Sequence, residues 1–235
     1  MYGAVASGPG HRYGTGMHRI IATALLLLSS AAFAWPQPQR PVSSIVSPTW
    51  ASEASREAAG EAASVMRLLN VRAGQTVADI GAGSGYYTMR LSPVVGPRGR
   101  VIAQDIVPKY LNQLKARVRR AGLKNVRFVL GGENDPRLPV GAVDTALLIH
   151  MYHEIAQPYE LLYRLRAALK PEGRIAVVDL DRTSGQHGMP RALLVCEVKA
   201  VGYDLVSITD LKPGYLAVFR KGPATNPAAV RACRE

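Results

Sequence analysis

Residues 77–91, with the sequence VADIGAGSGYYTMRL, decide the fold class of this chain. The apolar run at 76–80 predicts a buried strand, and Gly81, Gly83 and Gly85 follow it in a short loop. A helical pattern begins at once, over residues 86–91. A strand, a glycine-rich turn and a helix in this order are typical of the ligand-binding edge of an α/β sheet.

The same alternation continues on both sides of this stretch. Apolar runs rich in Val, Ile and Leu predict further strands buried on both faces, at 100–104, 126–130, 143–149 and 175–180. Helical patterns occupy 53–69, 107–121 and 158–169. Residues 204–209 and 215–219 have no room for a helix between them and are expected to pair antiparallel. The sequence therefore predicts an α/β fold, a doubly wound, seven-stranded, mostly parallel sheet with an antiparallel last strand.

The glycine spacing and two acids indicate what the loop binds. The glycines are two apart throughout, whereas a dinucleotide site has the pattern G-x-G-x-x-G that admits a pyrophosphate. Asp79 precedes them and would repel phosphates, but it suits a cationic amine. Asp105 ends the next strand, where a carboxylate would hold the two hydroxyls of a ribose. These features predict an adenosyl ligand that carries an amino acid instead of phosphates.

Five ordered stretches resemble the class I S-adenosylmethionine-dependent methyltransferase family, in particular a bacterial group of methyltransferases, and the likeness runs from Glu53 to about Lys221. The stretches are VADIGAGSGYYTMRL, VIAQDI, NVRFVLGGENDPRLP, VDTALLIHMYHEI and LKPEGRIAVVDL. The resemblance implies a Rossmann-like methyltransferase fold with S-adenosyl-L-methionine as cofactor. It also implies a cofactor site, which consists of Asp79, Gly81, Gly83, Gly85 and Tyr87 around the methionine part, Asp105 and Ile106 at the ribose, and either Glu133 or Asp135 at the adenine.

Several of these residues also have a purely structural interpretation. The glycines could simply permit a tight turn, and Asp105 could cap the helix that follows it. Tyr86 and Tyr87 could offer an aromatic ring to the sulfonium or could pack as walls of the core. The basic residues between 109 and 127 are interpreted as a solvated helix face, because no aromatic residues are interleaved with them as in a nucleic-acid-binding surface.

The candidate catalytic residues follow the fourth predicted strand. His150, Tyr152, His153 and Glu154 place four polar groups at the functional edge of the sheet, where one could act as a base on the methyl acceptor. The alternative is that His150 packs near the cofactor and that His153 and Glu154 cap the following helix.

No metal is expected from the sequence. Asp179, Asp181 and His187 lie near the end of the fifth strand, but a ligand set would also need Asp144 or the group around His150. The chain has no Asn-Pro-Pro-Tyr stretch after the fourth strand, the pattern for methylation of base amino groups, and no cysteine in the pattern for methylation of cytosine C5. No specific nucleic-acid acceptor is therefore expected. A small-molecule or lipid-linked acceptor is left by exclusion.

Composition limits the class of protein. Of 235 residues, 48% are hydrophobic and 20% are charged, which excludes a disordered chain. Lys and Arg total 29 against 17 Asp and Glu, and the resulting net charge of +12 favours weak attraction to an anionic membrane surface. The two cysteines, Cys196 and Cys233, can form at most one disulfide.

The N-terminus has the pattern of an export signal. Met17 opens a short basic start and an apolar run that ends in Ala32-Phe33-Ala34, a small-x-small cleavage pattern. The predicted organisation is a low-complexity start and signal peptide (1–34), an extended lead-in (35–52), the methyltransferase domain (53–221) and a loose tail (222–235). The expected location is periplasmic or secreted, and cytoplasmic if the signal is not used. Because S-adenosylmethionine is made in the cytosol, export makes a non-catalytic adenosyl-ligand-binding module the alternative function.

Overall fold

The computed structural model of the chain describes Met1, Gly8, Gly10 and residues 34–46 and 53–235. Apart from Ala34, the predicted signal peptide lies outside the described residues, and so does the end of the lead-in. Within the part of the chain that is described, no helix has both the length and the apolar character needed to cross a membrane.

Among the described residues, seven strands form one sheet, as the sequence predicts. The strands are β1 Thr76–Ile80, β2 Arg100–Asp105, β3 Val126–Leu130, β4 Val143–Ile149, β5 Leu169–Asp179, β6 Tyr203–Asp210 and β7 Tyr215–Lys221. Their order across the sheet is β3-β2-β1-β4-β5-β7-β6. All neighbours from β3 to β5 pair in parallel, and β7 pairs antiparallel with both β5 and β6. The chain order reverses between β1 and β4, and this reversal opens a crevice at the carboxyl ends of these strands.

The described part of the chain has six α-helices: α1 Glu53–Ala58, α2 Glu61–Leu68, α3 Tyr86–Val95, α4 Pro108–Arg120, α5 Pro158–Ala168 and α6 Arg191–Ala200. Helices α2 to α6 pack on the sheet, whereas α1 has no buried residue. Fully buried residues of β1 point alternately into two apolar clusters. Ala78 and Ile80 pack with α5 and α6, whereas Val77 packs with α2 and α3. This alternation is the expected result of the two-residue period of a strand that is covered on both faces.

Three elements differ from the sequence-based expectation. The helix predicted over 53–69 is broken at Gly60, which has a φ of 62° and separates α1 from α2. Helix α6 is not predicted by the sequence pattern, because its buried face includes the charged Glu197. Strand β5 begins at Leu169, inside the stretch that was expected to end the preceding helix, and its pairing with β4 shifts register there.

The C-terminal residues are packed on the domain, so the prediction of a loose tail at 222–235 is wrong. Cys233 forms a disulfide with Cys196 of α6, and its backbone N–H donates to the Tyr159 hydroxyl at 2.7 Å. The side chain of Glu235 accepts hydrogen bonds from the backbone and hydroxyl of Ser184 at 2.9 and 2.7 Å. The covalent cross-link keeps the segment close to the core, and composition alone does not reveal this.

Candidate functional site

A cavity of about 470 Å³ opens at the carboxyl ends of β1, β2 and β4. Its size lies in the range of pockets that hold small molecules. The lining comes mainly from the loops after β1, β2, β3 and β4, from the two N-terminal helices and from residues 45–46, and most of its surface is apolar. The described lining residues that enter the argument below are Ile45, Val46, Arg56, Glu61, Asp79, Gly81, Gly83, Tyr86, Tyr87, Gln104, Asp105, Ile106, Glu133, His150, Met151, Glu154, Ile155, Leu161, Leu180 and Pro213.

The glycine loop brings backbone to the edge of this cavity. Gly81 and Gly83 have φ angles of 66° and 53°, in the left-handed region that side chains disfavour. A Cβ at Gly81 would lie 3.1 Å from two side-chain atoms of Met151. The Gly83 N–H donates to Asp105 Oδ2 at 2.8 Å, which holds the loop against β2. The loop therefore leaves a shallow cradle that a larger residue would fill.

Gly85 has a different role from the one expected. It is not among the residues that line the cavity, and it begins α3 with a φ of 87°. A Cβ at this position would come within 2.1 Å of Leu114 Cδ1 on α4. Gly85 therefore permits close packing of α4 on the loop and does not contact the cofactor site itself.

Asp79 lies at the bottom of the cavity and is only 3% exposed. Its Oδ2 accepts a hydrogen bond from the Thr88 hydroxyl at 2.6 Å. Burial opposes the charged form and raises the pKa of Asp79 to about 6, although the bonds from Thr88 favour the carboxylate. A cationic group in the cavity would supply the counter-charge that this carboxylate lacks.

Asp105 lines the cavity and also braces the backbone. Its Oδ1 accepts from the Val107 N–H at 2.8 Å, next to the start of α4, and its Oδ2 holds Gly83. Burial raises the pKa of Asp105, while the backbone hydrogen bonds oppose that rise. The ribose role and the helix-capping role are thus compatible, since each carboxylate oxygen has a second lone pair.

Of the two acids proposed for the adenine, Glu133 lines the cavity and Asp135 does not. Asp135 Oδ1 accepts from the Arg137 N–H at 2.8 Å, and its Oδ2 lies 3.4 Å from an Arg164 nitrogen. The two oxygens of Asp135 therefore contact its own turn and α5. The geometry favours Glu133 of the two.

Sequence reasoning missed Gln104, which precedes Asp105 on β2. Gln104 is 1% exposed, and its Oε1 accepts from the Gly81 N–H at 3.3 Å. Its Nε2 has no hydrogen-bond partner among the described residues. A buried amide without a partner at a cavity is a signature of a ligand site, and a polar residue inside an apolar strand was the available signal in the sequence.

A second group that the sequence did not reveal comes from the N-terminal helices. Glu61 accepts hydrogen bonds from Arg56 at 2.6 Å and from the Tyr87 hydroxyl at 3.0 Å, and its Oε2 lies 3.1 Å from His150 Nε2. Burial opposes the charge on Glu61, but His150 and Arg56 outweigh it and lower the pKa of this carboxyl to about 2. This network fixes Tyr87 and His150 at the rim of the cavity.

The Tyr86 ring is in contact with two arginines of the protein. Arg56 and Arg90 place their guanidinium carbons 4.0 and 3.8 Å from the centre of the Tyr86 ring. Because both cations already face this ring, Tyr86 is a packed wall of the site and not the partner of a sulfonium.

The four candidate catalytic residues divide into two groups. His150 and Glu154 line the cavity, and Glu154 Oε1 accepts from the Val46 N–H at 3.3 Å. Burial raises the pKa of Glu154 to about 7. His153 is not among the residues that line the cavity. It is 2% exposed, and its Nδ1 lies 3.0 and 2.9 Å from the two oxygens of Asp179, which is fully buried.

Tyr152 does not reach the cavity, so its assignment to the catalytic group is wrong. Its side chain is fully buried in the core, where the Arg40 guanidinium lies 5.6 Å from its ring centre. The alternative that His153 and Glu154 cap the next helix is also wrong. Helix α5 begins after Gln157 and has no side-chain cap. The 3₁₀ turn Tyr152–Glu154 forces neighbouring side chains to opposite sides, which sequence spacing alone does not predict.

Two acids that were considered as metal ligands are used elsewhere. Asp144 lies at the amino end of β4 and accepts from the Thr76 N–H and from Lys170, both at 2.7 Å. Asp181 pairs with Arg191 at 2.7 Å. His187 lies close to His153, with ring centres 5.5 Å apart.

Comparison with known proteins identifies what the chain is similar to. Residues 77–173 match the family model described as a methyltransferase domain. The chain is 32% identical over 113 residues to the tRNA (adenine(58)-N(1))-methyltransferase TrmI of Thermus thermophilus, covering 48% of this chain and 42% of that protein. It is 30% identical over 118 residues to the ubiquinone/menaquinone biosynthesis C-methyltransferase UbiE of Pseudomonas fluorescens, covering 50% and 46%. The chain thus spans less than half the length of these relatives.

Solved structures agree with the sequence relatives. A methyltransferase from Aquifex aeolicus, described as S-adenosylmethionine-dependent, superposes with a TM-score of 0.66 at 26% identity, over 70% of this chain and 92% of that one. The fold, the glycine loop and these matches support a place for the chain in the class I S-adenosylmethionine-dependent methyltransferase family.

The residues present fit S-adenosyl-L-methionine, the cofactor of this family. Asp79 would offer a buried carboxylate to the amine and Asp105 would accept from ribose hydroxyls, and the Gln104 Nε2, which has no partner among the described residues, would be available to the same ligand. The prediction of the fold, the family and the cofactor is confirmed. The roles of the individual residues stay predictions.

Proposed function

We propose that this protein transfers the methyl group of S-adenosylmethionine to a small, uncharged and largely apolar acceptor. The observation that carries the proposal is one cavity that joins the glycine loop to an apolar wall. The wall is lined by Ile45, Val46, Met151, Ile155, Leu161, Leu180 and Pro213. A wall of this kind excludes water and would hold an apolar molecule against the methyl group.

The charges around the cavity support a small acceptor over a nucleic acid. Arg56 is the only Lys or Arg among the described lining residues, and Glu61 already neutralises it. Several carboxylates face the same space. The chain as a whole is basic, with a net charge of +12, but its cavity is acidic. Such a cavity repels phosphates and suits a sulfonium, an ammonium and a neutral acceptor.

Alignment is the main contribution that this chain makes to the reaction. The cofactor supplies an activated methyl group, so an acceptor held in line with the sulfur needs little further chemistry from the protein. Asp79 would hold the amino-acid end of the cofactor and Asp105 its ribose, and the loop 150–155 would border the acceptor. TrmI is named as a tRNA enzyme and UbiE as a quinone-pathway enzyme, and the apolar wall favours the second kind of acceptor.

Calorimetric titration of S-adenosylmethionine into the protein tests the cofactor site. Glu133→Gln should weaken binding about tenfold, because a hydrogen bond to a charged acceptor contributes roughly 1.5 kcal/mol or more. Asp135→Asn is the matched control and should bind as the unmodified protein does, since Asp135 is outside the cavity. The assignment of Glu133 to the adenine fails if Asp135→Asn weakens cofactor binding and Glu133→Gln does not.

Turnover is tested with a panel of small neutral alcohols, phenols, thiols, amines and quinols, following formation of S-adenosylhomocysteine. A rate above slow cofactor hydrolysis for an apolar member of the panel supports the proposal. Tight cofactor binding without any acceptor-dependent turnover would favour the alternative, a non-catalytic binding module.

We further propose that the protein is exported. The pattern over residues 17–34 and the disulfide between Cys196 and Cys233 both support an oxidising destination. Fusion of residues 17–40 to a reporter that is active only outside the cytosol should give activity. A silent reporter, with an active fusion of a known signal as control, would refute export.

A further inference from the structure

A cluster of three potential metal ligands lies beside the cavity. One ligand atom each of His153, Glu154 and His187 lies within 4.8 Å of the other two. The first two residues belong to the 3₁₀ turn after β4, and His187 ends the 3₁₀ turn after β5. Because β4 and β5 are parallel neighbours, their carboxyl ends bring these turns together.

A buried carboxylate orients one of the histidines. Both oxygens of Asp179 lie about 3 Å from His153 Nδ1, at 3.0 and 2.9 Å. This contact places the proton on Nδ1 and leaves the lone pair on Nε2. Histidines that bind metals almost always donate their second N–H to a carboxylate or a carbonyl in this way.

The turn that carries His187 is held in place. His187 has a φ of 56°, an unfavourable conformation for a residue with a side chain. Its carbonyl accepts from Arg182, and the neighbouring Ser184 is anchored by Glu235. The Met189 N–H closes the loop by donating to the Leu180 carbonyl at 2.8 Å. Backbone strain that several contacts maintain is typical of a functional position.

The local charge also favours a cation. Asp179 is fully buried and Glu154 is half-buried, and among the described residues neither pairs with an arginine or a lysine. Buried carboxylates are costly unless a positive charge is close by. A cation bound by the two histidines and Glu154 would supply that charge.

We propose that His153, Glu154 and His187 bind one divalent transition-metal ion of the Zn²⁺ class, with Asp179 as the residue that orients His153. Two imidazoles and one carboxylate form a ligand set that Zn²⁺ accepts, with a fourth position left open. Tetrahedral ligands at about 2.0–2.1 Å from the ion are about 3.4 Å apart, so the three side chains must move inward by roughly 1 Å. Glu154 and His187 would make this movement by side-chain rotation, since both are only partly buried.

The open position of the ion would face the cavity, because Glu154 and Leu180 line it. There the ion would take an oxygen, nitrogen or sulfur atom of the methyl acceptor, and this last step rests on the proposed function. Metal binding itself does not depend on the proposed function, so metal binding and cofactor binding are tested separately.

The test uses the purified full chain, freed of metal with a chelator and dialysed. Titration with Co²⁺ should produce the visible absorption of a tetrahedral Co²⁺ complex at one equivalent, and Zn²⁺ should abolish it. Asp179→Asn should weaken binding by about 10- to 100-fold, as is typical when a histidine loses its orienting partner. Cofactor affinity, measured by calorimetry with chelator present, reports independently on the methyltransferase site.

Variants separate this site from adventitious binding, for example at the N-terminal histidines. His187→Ala and Glu154→Gln should each lower the Co²⁺ affinity at least 30-fold, and Asp181→Asn, the nearby acid that pairs with Arg191, should leave it unchanged. Circular dichroism verifies that each variant is folded, and if His187→Ala is not folded, then Glu154→Gln decides. Absence of the Co²⁺ band, or a band that neither variant weakens, would overturn the proposal.

Discussion

Replacing Asp79 with asparagine should stabilise the protein at neutral pH although it weakens the cofactor site. The carboxyl is 3% exposed, and burial raises its pKa from 3.8 to about 6. Because the folded-state pKa is the higher one, its contribution to stability is full below pH 4 and is lost as the pH rises through 6. Asparagine has no such titration and can still accept the hydrogen bond from Thr88.

The magnitude follows from the size of the shift. About two pKa units correspond to about 3 kcal/mol at 1.36 kcal/mol per unit. Roughly 2 kcal/mol of this falls between pH 4.5 and pH 8, because the unfolded carboxyl still titrates near the lower limit. The free energy of unfolding of Asp79→Asn, relative to the unmodified protein, should therefore rise by that amount across this range.

Urea denaturation of the cofactor-free protein at pH 4.5 and pH 8, followed by circular dichroism, measures this difference. Asp181→Asn is the control, because it also removes one negative charge but from an exposed position. Calorimetry at pH 8 should show weaker S-adenosylmethionine binding by Asp79→Asn. A stability difference that is the same at both pH values would refute the reasoning.

Three further predictions concern the same region and the C-terminus. The affinity for the cofactor should fall as the pH drops below about 6, by up to tenfold per pH unit, because Asp79 must then lose a proton before it can pair with the amine. An affinity that calorimetry finds unchanged between pH 5 and 7 would contradict this. Gly85→Ala should destabilise the protein by about 2 kcal/mol or more in thermal unfolding, since the new Cβ would collide with Leu114. Gly122 is the control: its φ of 68° is similar but the space around it is open, so Gly122→Ala should cost only about 1 kcal/mol. Cys233→Ser should lower the urea-unfolding free energy by about 4 kcal/mol, the chain-entropy value for a loop of 37 residues, and an unchanged midpoint would show that the disulfide adds nothing.

The sequence by itself determined the fold class and the cofactor edge. Short continuous runs of Val, Ile and Leu specify which segments are strands, and parallel strands buried on both faces require helical crossovers. The Asp79 loop and Asp105 could be related to each other because each follows a strand directly, and parallel strands end at one edge. The local sequence pattern is therefore sufficient to predict a binding site whose residues directly follow the ends of strands.

Only the tertiary structure decided which side chains meet across the sheet. Glu133 faces the cavity and Asp135 does not, because the turn after β3 directs neighbouring residues to different sides. His153 meets Asp179 and His187 only because β4 and β5 are neighbours. The tail is fixed by a disulfide to α6, a helix that the apolar pattern did not predict. These contacts join residues far apart in the chain, and the periodicity of a single segment carries no information about them.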